Sequence, residues 1–287
     1  MRSFKIFLSI VFILAVGFFV ARSCVHRVPP VGEEYGLGPA PAKKKVKVVP
    51  ASAGIPVPSP AALPVTPVKG RMAVILDDWG NSYSVFKYAL DVQRPLTLSI
   101  LPHLPQSRRI AEAAHQNNLG VMLHMPMQPR SKTDHLEAHM ILTTMPDDRI
   151  VSLTQAALAS VPYAEGANNH MGSAATADAR VMRAFLSTLK REGFFFVDSN
   201  TTSKTTGPRV AEELGVRFTR RDVFIDNEPK KEAIQKQLEL AKRVALRRGA
   251  VIVIGHDYRL TLETLREMAP GFEREGIQFV LAKELLE

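Results

Sequence analysis

A parallel α/β domain, built as an open doubly wound sheet or a closed barrel, is what the sequence predicts from residue 70 onward. Three observations carry this. Short apolar runs alternate with amphipathic stretches of helical period, the pattern of repeated βαβ units. The runs are apolar without a polar alternate, as expected of strands covered on both faces. Ionisable and polar residues gather where the runs stop, which in a barrel is the mouth where active sites are built.

Taken in order, "MAVIL" (72–76) precedes a helical stretch at about 82–92. "LTLSIL" (96–101) precedes "PQSRRIAEAAHQNN" (105–118), and "GVMLHM" (120–125) runs into a loop before a helix at about 147–160. "AEGANNH" (164–170) leads to a helix near 178–192, and "FFFVDS" (194–199) to one near 205–214. "AVIVIG" (250–255) is followed by a helix near 259–270, and "IQFVLA" (277–282) closes the chain. No glycine-rich phosphate fingerprint follows the first strand, which argues against a nucleotide-binding version of the fold.

The first 69 residues read differently. Arg2 and Lys5 precede an uncharged apolar run, "IFLSIVFILAVGFFVA" (6–21), and Arg22 follows it. That is the form of an export signal or a short membrane anchor, here given the span 1–24, although the run falls short of the roughly 20 residues of a comfortable span. Either form takes the chain out of the cytoplasm, to the periplasm or cell envelope, and an uncleaved segment would tether it to the membrane. Cys24, the only cysteine, reads as a spare thiol, so no internal disulfide forms and the fold rests on its core. Residues 25–69 hold about half of the chain's 20 prolines and read as a disordered, semi-rigid linker. Lys43 to Lys47 read as solvated charge. The formal net charge of +9 lies largely there and in helical stretches such as "KRVALRRG" (242–249). No stripe of basic and aromatic residues accompanies it, so nucleic acid is not an expected partner.

The remaining length folds as one domain, 70–287, with 46% of the whole chain apolar. "VILDDWG" ends in adjacent carboxylates, Asp77 and Asp78; His124 stands at the end of the third run and His170 follows the fourth. Asp198 ends the fifth, and His256 a late one. One or two aspartates with two or three histidines suit a Zn²⁺-like ion that keeps a position open for water. The dull alternatives are helix caps and turn residues for the aspartates and satisfied structural histidines. Joint placement on four or five strands favours the site. His103, His115, His135 and His139 lack that setting and read as structural or surface residues.

"VILDDWG", "LHMPMQP", "NNHMGS", "FFFVDSNTT", "RDVFID" and "VIGHDYRLTLETL", in that order across about residues 70–285, together resemble the divergent polysaccharide deacetylase family, an exported branch related to the NodB-type carbohydrate esterases. The resemblance implies a distorted (β/α) barrel of about seven parallel strands. It implies Asp78, His124 and His170 as ligands of a divalent metal, most plausibly Zn²⁺, with Asp77 as base and His256 as acid. Asn168, Asn169, Asp198 and Arg221 are then candidates to bind substrate or orient the ligands. The implied activity is removal of N- or O-acetyl groups from a cell-envelope polysaccharide. Two departures stand out. "HMPMQ" lacks the second histidine of an H-x-x-x-H motif, so His170 must come from another strand, and no Arg-x-Pro-Tyr segment is present. A non-catalytic glycan-binding protein on this scaffold, or a phosphoesterase with a second metal at Asp198, are the other readings.

Overall fold

The computed structural model describes residues 67–131 and 139–286; the signal or anchor, most of the linker, Cys24 and His135 lie outside them. Within these described residues nine parallel strands form one sheet: β1 Gly70–Trp79, β2 Thr97–Ile100, β3 Gly120–Met127, β4 Gly166–Met171, β5 Phe195–Asp198, β6 Phe218–Arg220, β7 Val223–Phe224, β8 Ala250–His256 and β9 Ile277–Val280. Their order is β6-β5-β4-β3-β2-β1-β8-β7, with β9 on the start of β1. The path's two ends, β6 and β7, are separated in the chain by Arg221 and Asp222 alone, so the sheet must curl until its edges nearly meet. At that seam Arg221 N–H donates to Asp198 O of β5 and Asp222 N–H to Ile252 O of β8. The result is the distorted parallel barrel, with two very short strands beyond the expected seven.

Among the described residues seven helices cover the sheet: α1 Phe86–Asp91, α2 Ser107–Gln116, α3 Asp147–Ser160, α4 Ala179–Glu192, α5 Gly207–Leu214, α6 Lys231–Arg248 and α7 Arg259–Arg274. None of the helices among the described residues is long and apolar enough to cross a membrane. α4 shows how sequence sets a boundary: Asp178 caps it by accepting from Arg180 N and Val181 N, and Gly193 ends it at φ 76°. α7 continues past Pro270, where the sequence reading stopped it, because Phe272 of its last turn is packed in the core. Of α6 only the stretch at 242–249 was read as helical, and the β6–β7 pair was not read as strands; two- and three-residue strands have no apolar run to announce them.

Two apolar layers result. The larger lies between sheet and helices and includes Met72, Val74 and Leu76. The smaller fills the barrel with Ala73, Ile75, Met122, Phe195, Val197, Ile252, Ile254 and Val280. A strand's period of two then extends each inward row toward the mouth: from Ala73 and Ile75 to Asp77, from Met122 to His124, and from Ile252 and Ile254 to His256. Gly166 on β4 is small for a reason, since a Cβ there would stand 2.5 Å from the Phe195 ring. Gly166→Ala is expected to lower stability by roughly 1–3 kcal/mol through overpacking, read from the denaturant midpoint at unchanged m-value.

Candidate metal centre

Strand alternation alone would send Asp77 into the barrel and Asp78 out of it. The pairing of β1 with β2 prevents this. Leu76 faces Leu98 and Trp79 faces Ile100, so Asp77 and Asp78 together oppose Ser99, and the register shifts there. This is the geometry of a β-bulge, which re-aims a side chain. Asp78 takes φ 68°, a left-handed conformation that Asp tolerates better than most residues. Both carboxylates consequently reach the mouth.

Asp78 Oδ1 lies 3.2 Å from His124 Nε2 and 3.0 Å from His170 Nδ1, and those two nitrogens are 3.1 Å apart. The triangle is nearly equilateral. Donors held at about 2.0–2.1 Å from a zinc-like ion lie roughly 2.9 Å apart in octahedral and roughly 3.4 Å apart in tetrahedral geometry, so the observed edges fit one shared ion. The donor set of one carboxylate and two imidazoles fits as well, and it is the one such cluster among the described residues. A further sign is that Asp78 Oδ1 is buried and accepts no well-formed hydrogen bond.

The surroundings fix which atoms face the triangle. Asn168, fully buried on β4, donates from Nδ2 to Asp77 Oδ1 at 2.8 Å. Its Oδ1 accepts from Ser99 Oγ at 2.6 Å and lies 2.6 Å from His124 Nδ1. An ionised Asp77 can only accept, so the amide nitrogen must face it and the amide oxygen must face His124. His124 then carries its proton on Nδ1 and presents the Nε2 lone pair to Asp78 Oδ1, an arrangement that calls for a proton or a cation between them. Asn168 thereby couples the orientation of Asp77 to that of His124.

The two carboxylates are driven apart electrically. Burial raises the Asp77 pKa, the Asp78 charge adds to it, and His124, Asn168 and His256 only partly offset them. Burial also opposes ionisation of Asp78, but the imidazoles of His124 and His170 hold its carboxyl well below the usual carboxylate range. Neighbouring groups pushed in opposite directions mark divided chemical roles. His124 is disfavoured as a cation by burial, yet Asp77 and Asp78 carry its pKa upward.

His256 approaches from β8. Its Nδ1 lies 2.9 Å from Asp226 Oδ1, and its Nε2 lies 3.7 Å from Asp78 Oδ2. Asp226 also accepts from His256 N at 2.7 Å and Thr261 Oγ1 at 2.8 Å, which locks its carboxylate. Burial lowers the His256 pKa, but Asp226, helped by Asp78 and Asp77, raises it overall. Tyr258 stacks on the ring at 5.0 Å and Phe224 meets it edge-on at 5.3 Å. Next in sequence, the Asp257 carboxyl is pushed up to about 7 by burial and the charge of Asp78.

Asp77, His124, His170, His256 and Arg221 share a cleft of about 400 Å³ whose far wall is Ser199, Asn200 and Thr201. Of the expected site residues, Asp77, Asp78, His124, His170, His256 and Asn168 come together around the triangle. His124 and His170 do so from within β3 and β4 rather than from beyond their ends. Asn169 instead supports the far wall, accepting from Ser199 N at 2.9 Å. Asp198 contributes no atom to the triangle. Its Oδ1 accepts from Asn200 N at 2.8 Å and its Oδ2 from Thr205 Oγ1 at 2.6 Å, so it shapes the turn after β5. Three contributors were missed: Ser99, Asp226 and Thr261. Asp226 closes "RDVFID" and Ser99 is one of two polar residues, with Thr97, inside "LTLSIL", the available signals.

The sequence profile described as divergent polysaccharide deacetylase matches residues 74–286. The chain is 33% identical over 217 residues to the uncharacterized protein YibQ of Escherichia coli K12, covering 76% of this chain and 67% of that one. It is 31% identical over 198 residues to an uncharacterized protein of Haemophilus influenzae Rd, covering 69% of this chain and 70% of that one. Among solved structures, an uncharacterized protein from Agrobacterium tumefaciens C58 aligns with a TM-score of 0.71 at 17% identity, over 79% of this chain and 92% of that one. That likeness concerns the fold.

Proposed function

The chain belongs to the divergent polysaccharide deacetylase family, and on that premise we propose that it is a metal-dependent carbohydrate deacetylase, removing N- or O-acetyl groups from a cell-envelope polysaccharide that it meets after export. The observation that carries this reading is the Asp78–His124–His170 triangle, with Asp77 on one side and His256 on the other. Asp78 Oδ1, His124 Nε2 and His170 Nδ1 would hold a divalent ion, and one carboxylate with two imidazoles suits Zn²⁺. Such an ion supplies Lewis acidity, polarising an acetyl carbonyl and acidifying a water.

The chain's own groups do the rest. Asp77, raised by burial but steadied as a base by the Asn168 hydrogen bond, takes the proton of the attacking water. The water oxygen adds to the acetyl carbon, and the bond to the sugar nitrogen or oxygen breaks. His256, whose pKa Asp226 raises, donates from Nε2 in its acid form to the departing amine or hydroxyl, and acetate leaves. Asn168 holds Asp77 and His124 at fixed separation throughout.

Zinc-loaded full-length protein is expected to release acetate from acetylated oligosaccharides and to stop on chelation; loaded protein without release from any N- or O-acetyl glycan tried would leave only a binding scaffold. The pH profile tests the acid separately. A raised His256 pKa extends the acid form to higher pH and sets the alkaline limb. Asp226→Asn removes the charge that raises it, so that limb should move to lower pH, with the acidic limb in place. An unmoved alkaline limb would rule out His256 as the acid.

A further inference from the structure

We infer that the cleft contains an anion subsite formed by Arg221 and Ser199, so that the glycan it takes carries a carboxylate or phosphate close to the acetyl group. This rests on the deacetylase reading and names its substrate class.

Arg221 is anchored but not neutralised. Its Nε donates to Ser199 O at 2.7 Å and its Nη2 to Asn200 O at 3.0 Å, and the guanidinium lies over the Phe224 ring at 4.9 Å. Nη1 makes no hydrogen bond, and no carboxylate among the described residues is within ion-pair distance. Burial bears against its charge, with Asp77 and Asp198 compensating only at longer range. A half-buried cation with no carboxylate against it keeps an uncompensated charge, and a fixed guanidinium edge suits a planar or tetrahedral oxyanion.

The second observation is independent. Ser199 Oγ, in a residue only 6% exposed, is buried and has no hydrogen-bond partner. It lines the same cleft as Arg221. The segment is held in place, because Ser199 N donates to Asn169 Oδ1 and Asn200, at φ 53°, donates to Asp198 Oδ1. A buried hydroxyl without a partner and a held guanidinium whose Nη1 makes no hydrogen bond thus line the same cleft as His124 and His170.

The test titrates zinc-loaded full-length protein with three acetylated oligosaccharides of equal length: neutral, carboxylate-bearing and phosphate-bearing. One of the charged ligands is expected to bind at least about tenfold tighter than the neutral one, with a preference that falls as salt rises. Which of the two does so identifies the source of the anion. The charged-to-neutral ratio should drop toward one in Arg221→Gln and fall in Ser199→Ala. Ser199→Ala should fold normally, since the hydroxyl removed has no partner to lose. Equal affinity for all three ligands, binding of none, or a ratio untouched by both variants overturns the subsite. Zinc retention and acetate release from the neutral ligand do not depend on that ratio, so they report failure of the deacetylase reading separately.

Discussion

Alanine at Asp78 or His124 is expected to abolish metal retention and acetate release together. Each supplies one corner of a three-atom triangle with edges of 3.0–3.2 Å, and two remaining donors leave no closed face. The loss should exceed the roughly 10–100-fold that removing an outer hydrogen-bond partner costs in affinity or activity. Wild-type protein should gain thermal stability on zinc addition, because an ion bound only by the folded state raises apparent stability by mass action. Neither variant should show that gain. Elemental analysis and paired melts with zinc and with chelator check both halves; a variant that keeps its zinc would move the metal elsewhere.

Asp77→Asn is expected to do something different: retain the ion and lose about 10²–10⁴-fold in turnover. Asp77 Oδ2 is 3.7 Å from His124 Nε2 and lies outside the triangle. Its Oδ1 accepts from Asn168, and an amide oxygen can still do so. What disappears is the capacity to take a proton. The raised Asp77 pKa has a thermodynamic counterpart in chelated protein. A carboxyl disfavoured as an anion in the fold costs stability as pH rises through its folded pKa, and that cost is absent below its unfolded pKa. Chelated Asp77→Asn should therefore melt higher than wild type at neutral pH, with the difference closing under acid. Wild-type turnover in this variant would remove Asp77 from the chemistry.

How far the sequence displayed this arrangement varies from residue to residue. The inward rows ending in Asp77, His124 and His256 follow from period-two strands, and they were legible because apolar runs announce buried strands. His170 was assigned from a different strand in the absence of H-x-x-x-H, and β4 does bring it to the triangle. The bulge was not legible: alternation predicts Asp78 facing the helices, and only the pairing of β1 with β2 shows both aspartates opposite Ser99. Asp198 looked like a site residue because it ends a strand, yet its oxygens are taken by the local backbone and Thr205. Asp226 was visible in its motif without a role, since its partner His256 is 30 residues away and only β7–β8 pairing brings them together. Strands as short as β6 and β7 carry too few residues for periodicity to register.

The most direct test of the central claim is the metal content of the purified full-length protein after zinc reconstitution, measured beside His170→Ala. His170 matters most here because it is the ligand recruited from a separate strand. Close to one equivalent of zinc per chain, lost on replacing His170, is the predicted result. No bound zinc in the wild type, or one equivalent held without His170, would contradict it.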